Sequence, residues 1–165
     1  MTTRHRALIV TISTRNKQAI FGRIQNDEIM LNEWGNIADH CWKQIREHFP
    51  QVDLDAFIVM PSHIHGILLI NEADKSPVEA QHAPSESVGA THASPLRQTP
   101  HGPAKGSLGA IIGSYKASVT RSINRLSGAI KEVWHRNYYE RVLRNERELQ
   151  ETRHYITYNA YKESK

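Results

Sequence analysis

Two histidines separated by a single residue, His63 and His65, are the residues whose types and spacing could do chemistry. In an extended strand the side chains at i and i+2 leave the same face. The two imidazoles would then stand side by side while Ile64 turns into the core. Neutral imidazole nitrogens bind divalent ions well. Two protein ligands leave most coordination positions open, and at least one further protein ligand is expected. Open positions are what a metal needs to grip a phosphate oxygen and stabilise charge during displacement at phosphorus. A bare His-x-His also suits two half-buried sheet residues, so the surrounding elements decide its meaning.

Those elements are legible on both sides. VDLDAFIVM, residues 52–60, is an apolar strand; Pro61-Ser62 interrupts it, and HIHGILLI, residues 63–70, is a second. Strands joined so tightly are expected to be antiparallel neighbours. Upstream, RALIVTIST at 6–14 alternates, with Leu8, Val10 and Ile12 on one face. Phe21 to Ile24 and Glu28 to Leu31 flank a turn and read as a hairpin. Asn32 caps a helix to about His48, with Ile37, Ala38, Cys41, Trp42 and Ile45 as its apolar stripe and Pro50 beyond its end. Residues 71–106 hold Pro77, Pro84, Pro95, Pro100 and Pro103 among Ser, Ala, Gly and His, without periodicity. They are expected to be a flexible insertion, not a second domain.

After the insertion, residues 107–127 have helical spacing of Leu108, Ile111, Ile112, Tyr115, Val119 and Ile123, with Lys116, Arg121 and Arg125 adding positive charge. A solvated basic face and a phosphate-contacting face are equally open readings. VWHRNYYERVL, residues 133–143, is strand-like and carries Arg136. Asn145 followed by Glu148 resembles a capping box, starting a last helix that runs to about Asn159. The order strand, hairpin, helix, strand, strand, helix, strand, helix predicts a single α+β domain over 1–165, an antiparallel sheet with helices on one face.

Composition narrows the function classes. Cys41 is the one cysteine, which excludes an intrachain disulfide framework and a cysteine-built metal site. The 21 Lys+Arg against 17 Asp+Glu give +4, which permits phosphate-backbone contact without demanding it. No apolar run reaches the roughly 18 residues of a membrane span, and no leader pattern opens the chain. The expectation is a soluble cytoplasmic protein with no membrane partner.

AFIVMPSHIHGILLI closely resembles the His-hydrophobic-His (HUH) segment of single-tyrosine transposases, the family of IS200-like and REP-associated tyrosine transposases, where Met-Pro-x-His-x-His is frequent. LNEWGNIADHCW before it, SLGAIIGSYKASVTRSIN after it and VWHRNYYERVLRNERELQETRHYITYN at the end resemble the family in the same order. The likeness spans the chain except 71–100. It implies a ferredoxin-like α+β fold and metal-dependent cutting and rejoining of single-stranded DNA with hairpin ends, in a bacterial, nucleoid-associated setting. It implies a tyrosine nucleophile, a 5′-phosphotyrosine intermediate and a free 3′-hydroxyl, with Mg²⁺ or Mn²⁺. An amide oxygen beside histidines suits Mn²⁺. Both monomers and homodimers with exchanged tyrosine helices occur in such families.

There are six tyrosines. Tyr155-Ile156-Thr157-Tyr158-Asn159 is similar to the family's Tyr-Ile-x-x-Asn setting, which implies Tyr155 as nucleophile and Asn159, on the same helix face, as third metal ligand. Tyr115 is the alternative nucleophile, while Tyr138 and Tyr139 read as sheet or core residues. The chain departs from the family pattern at Ala160, where proline often follows the asparagine, and at Arg141, where histidine often stands. A different class remains open: a catalytically silent single-strand nucleic-acid binder that stacks bases on Tyr138 and Tyr139 and tracks phosphates with Lys116 and Arg136.

Overall fold

The computed structural model describes residues 5–71 and 103–163, without the side chains of 160–163. Most of the expected insertion, 72–102, lies outside the described residues, as do His82, His92 and His101.

The alternating N-terminal segment forms β1 (His5–Ser13), an inner strand of a four-stranded sheet. The hairpin strands β2 (Gly22–Gln25) and β3 (Glu28–Leu31) pair with each other as a separate two-stranded sheet. Asn26 and Asp27 turn between them at φ 53° and 61°, the two positive values that a tight hairpin turn requires and that Asn and Asp tolerate. Asn32 then caps α1 (Glu33–Lys43) by accepting a 2.9 Å hydrogen bond from the Gly35 N–H. The expected single helix to His48 is broken at Gln44, after which α2 (Ile45–His48) adds one turn.

β4 (Val52–Val59) and β5 (His63–Asn71) are antiparallel neighbours, as their short connection predicts. Ser107 caps α3 (Leu108–Ser127), and Gly128 ends it at φ 66°, a conformation glycine adopts without steric cost. β6 (Tyr139–Leu143) and α4 (Glu146–Glu163) complete the chain. The sheet order is β4-β5-β1-β6, with every pairing antiparallel. Setting aside the hairpin and the last helix, this is the β-α-β-β-α-β ferredoxin-like arrangement.

Strand alternation sorts the core into two faces. Val10, Ile12, Ile64 and Leu68 pack under α1 and α3 with Trp42, Ile112 and Val119. Ile9, Ile67 and Leu143 face the other way and are covered by Ile156 of α4. The sequence expectation of helices on one face holds for α1 and α3; α4 lies across the sheet from them, on the face that carries His63 and His65.

The strand expected over 133–143 is confined to 139–143. Before it, Trp134 makes only an isolated bridge to Thr14, and its indole N–H donates to the Lys116 carbonyl at 3.1 Å. The aromatic character of this segment serves packing rather than ladder formation.

Candidate metal and nucleophile site

β5 places the histidines by register. His65 lies opposite Thr11 and His63 opposite Ser13 on β1. The imidazole centroids are 4.6 Å apart and the rings meet edge-on. Each Nδ1 stands against a hydroxyl, His65 with Thr11 Oγ1 at 2.8 Å and His63 with Ser62 Oγ at 3.1 Å. With Nδ1–H donating to that oxygen, Nε2 keeps its lone pair for a ligand. His65 is buried, and burial, followed by repulsion from His63, brings its pKa down to about 4. The ring is therefore neutral at pH 7, the form that ligates metals.

Why Thr11 is there can be read from β1. It shares its strand face with Ile9 and Ser13, and its register sets it against His65. Sequence reading passed over it, although one polar residue within the run ALIVTI was the available signal.

α4 brings the tyrosine. Asn145 Oδ1 accepts from the Glu148 N–H at 2.9 Å, and Glu148 reaches back to the Arg144 N–H at 3.0 Å. Midway along, Arg153 binds Asp55 with both ends of its guanidinium, Nε lying 2.8 Å from Oδ1. Asp55 sits where the β4–β5 register shifts between Leu54 and Phe57, an irregularity of the kind that re-aims a side chain. The hydrogen bond from Arg153 is the main cause that holds the Asp55 carboxyl below its usual pKa.

Two residues after Arg153, the ring of Tyr155 stands 5.6 Å from that of His65, edge-on, with 41% of the residue exposed. Asn159 follows one helical turn later. It is 3% exposed, and its Nδ2 has no hydrogen-bond partner among the described residues. Among the described residues, no cluster of three His, Cys, Asp or Glu stands together to hold a metal.

A cleft of about 380 Å³ opens between β6 and α4, lined by Thr11, His65, Tyr139, Arg141 and Tyr155 among others. A larger one, about 680 Å³, lies beside Leu8, Ile70 and Glu140 and includes neither histidine. Its size does not make it the site, because His65 and Tyr155 both line the smaller cleft.

The other sequence candidates are not brought together here. Tyr115, the alternative nucleophile, is a core residue: 2% exposed, its hydroxyl donates to the Ala38 carbonyl at 3.0 Å, and burial pushes its pKa well up. It packs edge-on against Trp42 under α1, across the sheet from the histidines. Lys116 donates to the His135 carbonyl at 2.9 Å and stands near those of Arg136 and Asn137, so its ammonium organises the loop before β6. Arg121 reaches Ser118, and Arg125 is exposed in the last turn of α3. Both belong to the helix layer opposite the histidine face. Arg136 is exposed in the loop. Tyr138 packs against the core as expected, whereas Tyr139 is 59% exposed and lines the histidine cleft.

No family model matches the chain. A Haemophilus influenzae protein described as uncharacterized is 37% identical over 154 residues, covering 91% of this chain and 77% of that protein. Among solved structures, a REP-associated tyrosine transposase bound to a REP hairpin superposes with a TM-score of 0.63 at 15% identity, over 99% of this chain and 72% of that one. That likeness gives the fold in common.

Proposed function

This chain belongs to the same family as that Haemophilus influenzae protein, and we propose that it is a tyrosine transposase, a metal-dependent single-strand DNA endonuclease and strand transferase. The observation that carries this reading is the meeting of Tyr155 with His65, ring to ring at 5.6 Å, from elements far apart in the chain. A partly exposed phenol beside the neutral His65 imidazole puts a nucleophile next to a metal-binding nitrogen.

The donor set fits a divalent cation. His63 and His65 supply two imidazoles on one face, and among the described residues the buried Asn159 amide lacks a partner at Nδ2; a half-turn of that amide presents its oxygen in the same place. His63, His65 and Asn159 would hold Mg²⁺ or Mn²⁺, which when bound would polarise a phosphate oxygen.

The protein's own groups do the rest. Thr11 and Ser62 orient the imidazoles. The Asp55–Arg153 pair holds α4 against β4, so that Tyr155 is positioned before substrate arrives. The Tyr155 phenol loses its proton and its oxygen attacks phosphorus; the tyrosine O–P bond forms and the P–O3′ bond breaks. The 3′ oxygen takes up a proton and leaves as a hydroxyl, while the 5′ phosphate stays on the tyrosine. The ester conserves the energy of the broken bond, so a second 3′-hydroxyl can reverse the step and join a new end. The substrate class we assign is single-stranded DNA flanked by a hairpin, by extension from the hairpin bound to the protein of like fold.

Covalency is the test. Labelled hairpin-flanked single-stranded DNA is incubated with the protein and Mn²⁺ and run on a denaturing gel. The reading predicts a protein–DNA adduct that is lost with chelator. Binding without adduct across a range of DNA ends would instead assign a silent single-strand binder.

A further inference from the structure

We infer that Tyr139 and Arg141 form the subsite for the nucleotide beside the phosphate that is cut, Tyr139 stacking on its base and Arg141 holding its backbone. The inference rests on the nuclease reading for what happens to that phosphate, but not for the binding itself.

Register puts both residues on the histidine face. Thr11 is paired with His65 on one side and Tyr139 on the other, so the three make one row across the sheet. Ile9 is likewise paired with Ile67 and Arg141, one row along. Side chains of directly paired residues leave the same face. Tyr139 and Arg141 thus flank the cleft whose other wall is Tyr155. Tyr139 is 59% exposed, although it is a large aromatic at the start of a strand. Arg141 is exposed and makes no hydrogen bond or ion pair among the described residues.

The chemistry of the cleft fits that use. Its two carboxylates are already engaged, Glu148 by the Arg144 N–H and Glu151 by Arg147, so among the described residues neither takes up the donors of Arg141. β6 is an edge of the sheet, so among the described residues no further strand closes the approach. An exposed aromatic ring and an unpaired guanidinium, two residues apart on an open strand, match the alternation of base and phosphate in a single strand. A duplex would keep its bases stacked and out of reach of Tyr139.

The experiment uses the full chain, fluorescence anisotropy and two DNA probes: a hairpin with a short single-stranded tail, and the same hairpin blunt. Chelator is present, so binding is read without cleavage. Tyr139→Leu is expected to weaken tailed DNA by about tenfold and to leave the blunt hairpin unchanged, while Tyr139→Phe binds as wild type. Arg141→Gln is expected to lower the slope of log affinity against log salt by about 0.7 on tailed DNA, and Arg141→Lys to restore most of it. Equal losses on both probes, no loss on either, or absence of any tail preference in the wild type would overturn the subsite. Covalent activity is assayed separately with Mn²⁺: a tail preference that depends on these residues in a protein forming no adduct would keep the subsite and remove the nuclease reading.

Discussion

Arg153 and Asp55 tie the C-terminal helix to edge strand β4 through two hydrogen bonds, two residues before the tyrosine that meets His65. The Asp55 side chain is 12% exposed and that of Arg153 33%, so the pair is only partly screened by water. Its position makes it the fastening of the site.

Asp55→Asn is therefore expected to lower stability at pH 7 by about 1–2 kcal/mol, between the values for exposed and charge-assisted hydrogen bonds. The sign with pH follows from the depressed Asp55 pKa. A carboxylate held below its unfolded value stabilises the fold above that value, and the contribution disappears as pH falls through the folded value. Urea unfolding of both proteins should show a gap that is full at pH 7 and shrinks below about pH 4, near the ordinary carboxylate value. A gap independent of pH would show that the pair is not the cause.

Gly66 marks where α1 comes down on the sheet. A Cβ there would lie 2.2 Å from Cζ2 of Trp42, which is fully buried and edge-on to Tyr115 at 5.2 Å. Gly66→Ala should cost about 1–3 kcal/mol by overpacking, read as a lower Tm with an altered near-ultraviolet tryptophan signal. An unchanged Tm would mean that the indole has room to move.

Tyr115→Phe separates the two tyrosines proposed from sequence. It removes the hydrogen bond to the Ala38 carbonyl and should cost about 1 kcal/mol, while adduct formation per folded molecule stays at the wild-type level. Loss of adduct in a folded Tyr115→Phe protein would return Tyr115 to candidacy.

Metal use can be followed without DNA, by the decrease of free Mn²⁺ signal in electron paramagnetic resonance. His63→Ala and His65→Ala should abolish binding, and Asn159→Ala should weaken it less. Thr11→Val, which touches no metal but frees the His65 ring, should weaken binding by about tenfold, as loss of a ligand's hydrogen-bond partner does. Full affinity in Thr11→Val would show that the hydroxyl does not orient the ring.

Much of the fold was legible because each element carries its own local signal. The alternation in β1, the Asn32 and Ser107 caps, Gly128 and the short Pro61-Ser62 connection all act within a few residues, and the structure follows them. The co-facial histidines were legible for the same reason, since i and i+2 geometry is local. What sequence did not give is what long-range pairing decides. Neither Asp55 nor Arg153 carries a mark of its partner, and nothing in Tyr139 or Arg141 says that β6 will lie beside β1 in the register that puts them at Thr11 and Ile9. The placement of α4 against the second sheet face is likewise a tertiary choice, set by Leu149 and Ile156 finding Ile9, Ile67 and Leu143.

Peptide mapping of the adduct shows which tyrosine carries the DNA. Trypsin cutting after Arg153 and Lys162 releases residues 154–162, which hold Tyr155, Tyr158 and Tyr161. Fragment-ion mass spectrometry of the nuclease-trimmed adduct should place the nucleotide mass on Tyr155, and Tyr155→Phe should form no adduct while still binding DNA. A nucleotide mass on Tyr158, Tyr139 or any other residue, or an adduct that survives in Tyr155→Phe, would rule out Tyr155 as the nucleophile.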